Sequence, residues 1–149
     1  MKPNIGKAVL GGVAGTMAMT FLMYVGGPMM EMPKMDVAAM LGGMLGGWTM
    51  GMMMHLVNGI VIFPLIYALI LFNRLPGAPA LKGLVWGAIL WVVAQVIVMP
   101  MMGAGLFGLN SGSAMSAVGS LMGHVIYGTL LAWIAGCACD AREGKPVTA

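Results

Sequence analysis

Polar residues are so sparse along this chain that they mark the ends of its elements. Four apolar segments, at about 8–27, 49–72, 83–102 and 116–137, each reach the roughly 20 residues that a helix needs to cross hydrocarbon. Between them lie a methionine-rich linker (28–48), the loop FNRLPGAPALKG (72–83) and the loop GAGLFGLNSGS (103–113). Pro28 and Pro100 stand at the ends of the first and third segments, where proline stops a helix. Pro64 lies inside the second and predicts a kink that frees the carbonyl of Ile60. Asp36 is the predicted N-cap of a short interfacial helix, VAAML, ahead of a glycine-rich entry to the second span. The expected fold is an all-α membrane protein with four transmembrane helices arranged as two tandem hairpins.

Composition agrees with that pattern. Of 149 residues, 60% are hydrophobic and 7% charged, and mean hydropathy is +0.98. A soluble domain carries about 25% charged residues, so this chain must take lipid as its main solvent. Its length suits one domain, 1–149. The net charge of +3 is distributed by side: Lys2, Lys7, Arg74, Lys82, Arg142 and Lys145 fall at one end of a four-span arrangement, and Lys34 alone at the other. The positive-inside rule then places both termini in the cytoplasm, in a prokaryotic inner membrane, with the methionine-rich linker outside. Charge used this way marks topology and gives no nucleic-acid footprint. MKPNIGK looks like the start of a signal peptide, but the apolar run after it is long enough to span and is expected to be retained as the first helix.

The two halves, about 1–74 and 75–149, look like copies of one hairpin. Lys7 and Lys82 open odd-numbered spans, Pro28-Met29-Met30 and Pro100-Met101-Met102 close them, and Ala39-Met40 and Ala114-Met115 occupy the outer linkers. His55-x-x-x-Gly59 and His124-x-x-x-Gly128 fall in the even-numbered spans. A tandem repeat of this kind predicts a pseudo-twofold axis along the membrane normal and puts both histidines at one depth on equivalent helices, across the bundle from each other. Thr20 and Gln95, each 13 residues past an opening lysine, share a depth too. With Asn58 and Tyr127 they predict a polar layer. The glycine pairs 11/15, 43/47, 47/51, 83/87 and 119/123 have the spacing that lets membrane helices approach closely.

Nineteen methionines are present, and apart from Met1 all lie within 17–54 or 99–122, the outer part of the spans and linkers. Three readings of this bias stand open. Thioethers suit Cu(I), and Met29, Met30, Met52, Met53, Met54, Met101 and Met102, with the histidines, offer a copper site on the outer side. Methionine also makes adaptable contacts with partner subunits or a second copy, and it fills space around glycines. His55 and His124 suit a haem-type porphyrin ligated on both faces, although propionates would find only Lys34 nearby. Their plainer reading is interhelical hydrogen bonding, with Asn58, Gln95, Tyr127 or a backbone carbonyl as partner. Cys137 and Cys139 read as small residues ending a helix, since a lone C-x-C is weak evidence for a metal. No Asp, Glu, Lys or Arg sits mid-span, and no catalytic or phosphate-binding motif occurs, so an ion-coupled transporter or an enzyme is not expected.

MPKMDVAAMLGGMLGG, the histidine-bearing span after it, LPG, LKGL, VMPMMGAG and GHVIYG together resemble a family of uncharacterised small prokaryotic four-helix membrane proteins, over residues 8 to 136. The resemblance implies the four-helix architecture and contributes no catalytic residues. By analogy with small accessory subunits of respiratory oxidases, the expected role is non-catalytic, as an accessory or scaffold subunit of a larger redox complex.

Overall fold

The computed structural model describes residues 4–31, 36–111 and 114–143. Lys2, Lys34 and Lys145, and the side chains of Cys137, Cys139 and Arg142, lie outside the described part. Among the described residues the helices are α1 (Ile5–Met29), α2 (Val37–Leu45), α3 (Trp48–Leu71), α4 (Pro79–Met101) and α5 (Ala114–Glu143). A 3₁₀ turn, Leu106–Ser111, precedes α5. All but α2 are long and apolar enough to cross a membrane. Only 22% to 33% of each apolar window is buried inside the protein, so most of the apolar surface faces outward, as lipid requires.

Helix ends follow local chemistry. Asn4 caps α1 by accepting from the Lys7 N–H (3.1 Å). As the sequence predicts, Asp36 caps α2, accepting from the Ala39 N–H (2.9 Å). That helix runs past VAAML to Leu45 and ends on Gly46 in the left-handed region (φ 94°), which glycine adopts without steric cost.

The long helices are not uniformly α. Five-residue π segments occur at Leu22–Gly26, Asn58–Ile62, Tyr67–Leu71 and Ala94–Val98. Three of them sit just before Pro28, Pro64 and Pro100. A proline lacks the N–H for its upstream carbonyl. In the π register the carbonyl opposite Pro64 is that of Gly59, five residues back. It accepts instead from the Tyr127 hydroxyl (2.7 Å). This corrects the expectation for Ile60, because the π insertion moves the hydrogen-bond register by one residue.

Helix α5 is the hub. Gly11 and Gly15 of α1 lie against the backbone of Leu131 and Tyr127, and Gly83 and Gly87 of α4 against Gly128 and His124. Helix α1 also meets α3, where Gly12 faces Pro64 and Gly59 faces Thr16. Helices α3 and α4 meet through rings: Phe63 and Tyr67 lie 6.3 and 6.5 Å from Trp86. A Cβ at Gly43 or Gly47 would meet open space; the close approach within the α2–α3 hairpin sets Gly42 on the backbone of Gly47 and Trp48, and Gly51 on that of Ala38 and Gly42.

The end of the bundle that holds Ala8, Phe72, Leu131, Ala132 and Ala135 is a continuous apolar core. There Lys82 donates to the Phe72 carbonyl (2.7 Å), with its ammonium 4.9 Å from the Phe72 ring centre. This is the terminal half. The other half carries the methionines.

Candidate functional site

A cavity of about 180 Å³ lies inside the methionine half, and both His55 and His124 line it. Each is positioned by a helix that backbone packing fixes. Gly87 seats α4 against the His124 carbonyl, and Gly51 seats the start of α3 on Ala38. His124 Nδ1 donates to the Ser120 carbonyl one turn back (2.8 Å) and lies 3.4 Å from the Ser120 hydroxyl. That hydrogen bond selects the tautomer with the lone pair on Nε2. Ser120 Oγ in turn accepts from Gln95 Nε2 (3.2 Å). His55 Nε2 pairs with Thr20 Oγ1 (3.1 Å), leaving Nδ1 as its second ring nitrogen.

The polar layer expected around the histidines therefore exists, with different partners. Thr20 holds His55, while Gln95 reaches His124 through Ser120, which the sequence reading did not single out. Tyr127 supports the backbone of α3, and Asn58 lines the cavity. Thr16 and Gln95 are almost fully buried, and Thr16 Oγ1 and Gln95 Oε1 have no hydrogen-bond partner among the described residues.

Thioethers supply much of the remaining wall. Met19, Met23, Met40, Met99, Met102 and Met122 line the cavity. Of the seven methionines picked from the sequence, only Met102 is among them. Met29, Met30, Met53, Met54 and Met101 are exposed, and Met52 is half-buried outside the cavity wall. Met101 ends α4 on its exposed side, while Met102, the cap residue just past it with non-helical backbone (φ -89°, ψ 5°), turns into the cavity wall. The spacing of Met99 to Met102, and of Met19 to Met23, is the signal that could have found the inner set.

Among the described residues, no carboxylate, amine or guanidinium lines the cavity. Among the described residues, no three His, Cys, Asp or Glu side chains gather as a metal site would require. The nearby ionised cluster is separate. Asp36 accepts from Tyr24 Oη (2.6 Å), from Trp48 Nε1 (3.2 Å to each oxygen) and from the Ala39 N–H. Burial pushes its carboxyl up, but these hydrogen bonds, Tyr24 first, outweigh that and hold it below its ordinary 3.8.

The chain belongs to a family of unknown function, DUF6789, whose profile matches residues 3–144. No curated protein and no solved structure matches it.

Proposed function

We propose that this protein is a non-catalytic membrane protein that holds a soft monovalent cation, Cu(I), in its central cavity. The composition of the cavity wall carries this reading: six thioethers and two imidazoles line it and, among the described residues, no charged side chain does. Thioether and imidazole are the protein groups that suit Cu(I), while carboxylate and carbonyl suit harder ions. His124 also has the outer partner that ligating imidazoles have, a carbonyl on its other nitrogen.

The porphyrin reading, with haem held between His55 and His124 in an accessory subunit of a respiratory complex, has less support. The cavity holds about 180 Å³, whereas pockets for molecules of drug or cofactor size span roughly 300–1,000 Å³. Among the described residues nothing basic lines it for propionates. Contact with other subunits or with a second copy has one observation in its favour, the exposed outer methionines, with Met29 at 80% and Met101 at 65%. Lys7, Arg74 and Lys82 belong to the terminal end, so we place that end in the cytoplasm of a prokaryotic cell and the cavity toward the outside. The likeness between the two halves extends to the π segments ahead of Pro28 and Pro100, which favours a duplicated hairpin.

The test is Cu(I) titration of the detergent-purified protein against a competing chelator. Stoichiometric copper is expected. It is lost when Met19, Met99 and Met122 are all replaced by Leu and kept when Met29, Met30 and Met101 are. Leu conserves volume, so each replacement should move stability by less than about 1.5 kcal/mol. A Soret band that disappears in His55→Ala and His124→Ala, with no copper bound, would overturn the copper reading in favour of haem.

A further inference from the structure

Helix α2 and the first part of α3 form a hairpin whose closest packing is internal. Gly42 lies on the backbone of Gly47 and Trp48, Gly51 on that of Ala38 and Gly42, and Trp48 bonds to Asp36 within the same unit. Beyond the π segment Asn58–Ile62 that follows it, the hairpin makes few backbone approaches to the other spans. Two side-chain hydrogen bonds tie it to α1: Tyr24 Oη to Asp36 (2.6 Å) and Thr20 Oγ1 with His55 Nε2 (3.1 Å). Thr20 and Tyr24 therefore both face the hairpin from α1.

The same hairpin supplies Val37, Met40, Leu41 and His55 to the cavity wall. Met40 and Met102 also line an open depression with Gly103, Ala104 and Asn110. The edge of the hairpin is therefore where the cavity meets the outer surface. At its base, the π segment breaks the regular hydrogen-bond ladder of α3, and such insertions are sites where helices bend.

We propose that residues 37–57 are a lid on the cavity, hinged at Asn58–Ile62 and latched to α1 by Thr20 and Tyr24. Its role in cation exchange rests on the copper reading; its motion does not. Opening carries His55 and Met40 out of the wall together and exposes the cavity at one end only, because the terminal half is packed. A cation held partly by His55 favours the closed state, since opening takes away one of its ligands.

Backbone hydrogen exchange on the full-length protein in detergent tests the lid directly. In the wild type, the amides of 37–57 are expected to share one opening rate, faster than those of α4 and α5. Tyr24→Phe removes a hydrogen bond to a charged group, and should speed that set about tenfold while leaving α4 and α5 unchanged. Thr20→Val, which leaves Asp36 untouched, should act on the same set by a smaller factor and serves if Tyr24→Phe folds poorly. The lid is overturned if the hairpin amides exchange independently of one another. It is equally overturned if both variants leave 37–57 unchanged or speed every helix alike. Added Cu(I) should slow exchange of the hairpin. If Cu(I) has no effect while Tyr24→Phe still speeds 37–57, the lid stands and the copper reading falls.

Discussion

In the terminal half Tyr67 and Leu131 are fully buried, and Trp86 and Phe72 nearly so, with rings at edge-on and tilted angles. In the methionine half Met17, Met29 and Met101 are each more than 60% exposed, and the interior holds a cavity where the other half holds a core. The long helices run through both halves, so the difference comes from side chains and from the π segments. Rigid aromatics with two rotatable bonds lock one arrangement. Thioethers repack at little cost and leave a lined space that a ligand can enter. The seam between α3 and α4 shows both modes: Phe63, Tyr67 and Trp86 close it on one side, and Met99 and Met102 border the opening on the other. The terminal half acts as a clamp and the methionine half as a receptacle.

The sharpest way to break that division is at the clamp. A side chain at Gly128 would enter the backbone of Gly83 and Gly87. Gly128→Val should therefore cost more than about 3 kcal/mol, since backbone cannot yield as a side chain can. The expected outcome is loss of folded protein from detergent extracts, read by size exclusion. Next come paired truncations, one in each half. Leu131 is fully buried, and Leu131→Ala should cost about 2–5 kcal/mol in thermal or denaturant unfolding. Met99 already borders a void, so Met99→Ala adds little new cavity and should cost no more than the low end of that range, about 2 kcal/mol. Equal costs at the two sites would mean that the halves do not differ in packing.

Acid provides a smaller effect confined to the receptacle. The Asp36 carboxyl is held below 3.8 by its hydrogen bonds, with Tyr24 the titratable group facing it. A depressed carboxylate contributes stability that is complete above its ordinary value and disappears as pH falls through the folded value. Attachment of the hairpin should thus be constant from neutral pH down to about 5 and weaken below 3.8. Trp48 donates to Asp36, so its fluorescence should report the change, and Asp36→Asn should flatten the response.

Much of the fold was legible because a bilayer imposes lengths. The predicted spans 8–27, 49–72, 83–102 and 116–137 differ from α1, α3, α4 and the apolar part of α5 by a few residues at each end. Asp36 was legible as a cap because a short carboxylate before a helix has one inexpensive use. The π segments were not, since their sequences, LMYVG, NGIVI, YALIL and AQVIV, are ordinary apolar helix. Each inserts a residue and rotates everything beyond it, so a 3.6-residue period carried through them points to the wrong face. That is why position along a span points to the outer methionines, while the inner set shows only in its spacing, Met99 to Met102 and Met19 to Met23. Ser120 escaped for another reason: one serine among several small residues gives no signal until its carbonyl is seen to hold His124.

Gly43 isolates the smallest effect and separates spacing from packing. By spacing it pairs with Gly47 as a close-approach motif, but in the structure a Cβ there meets nothing within 4 Å. It lies inside the helical stretch Val37–Leu45, so alanine is sterically free and loses less backbone entropy on folding than glycine does. Gly43→Ala should be neutral or stabilise the hairpin by up to about 1 kcal/mol. One position earlier, a Cβ at Gly42 would meet the backbone of Gly47 and Trp48, so Gly42→Ala should destabilise the same element. Hydrogen exchange over 37–57 reads both variants, slower for the first and faster for the second. Matching effects would mean that α2 and α3 do not touch where the structure has them touching, and the receptacle would lose the rigid hairpin that makes its lid a single body.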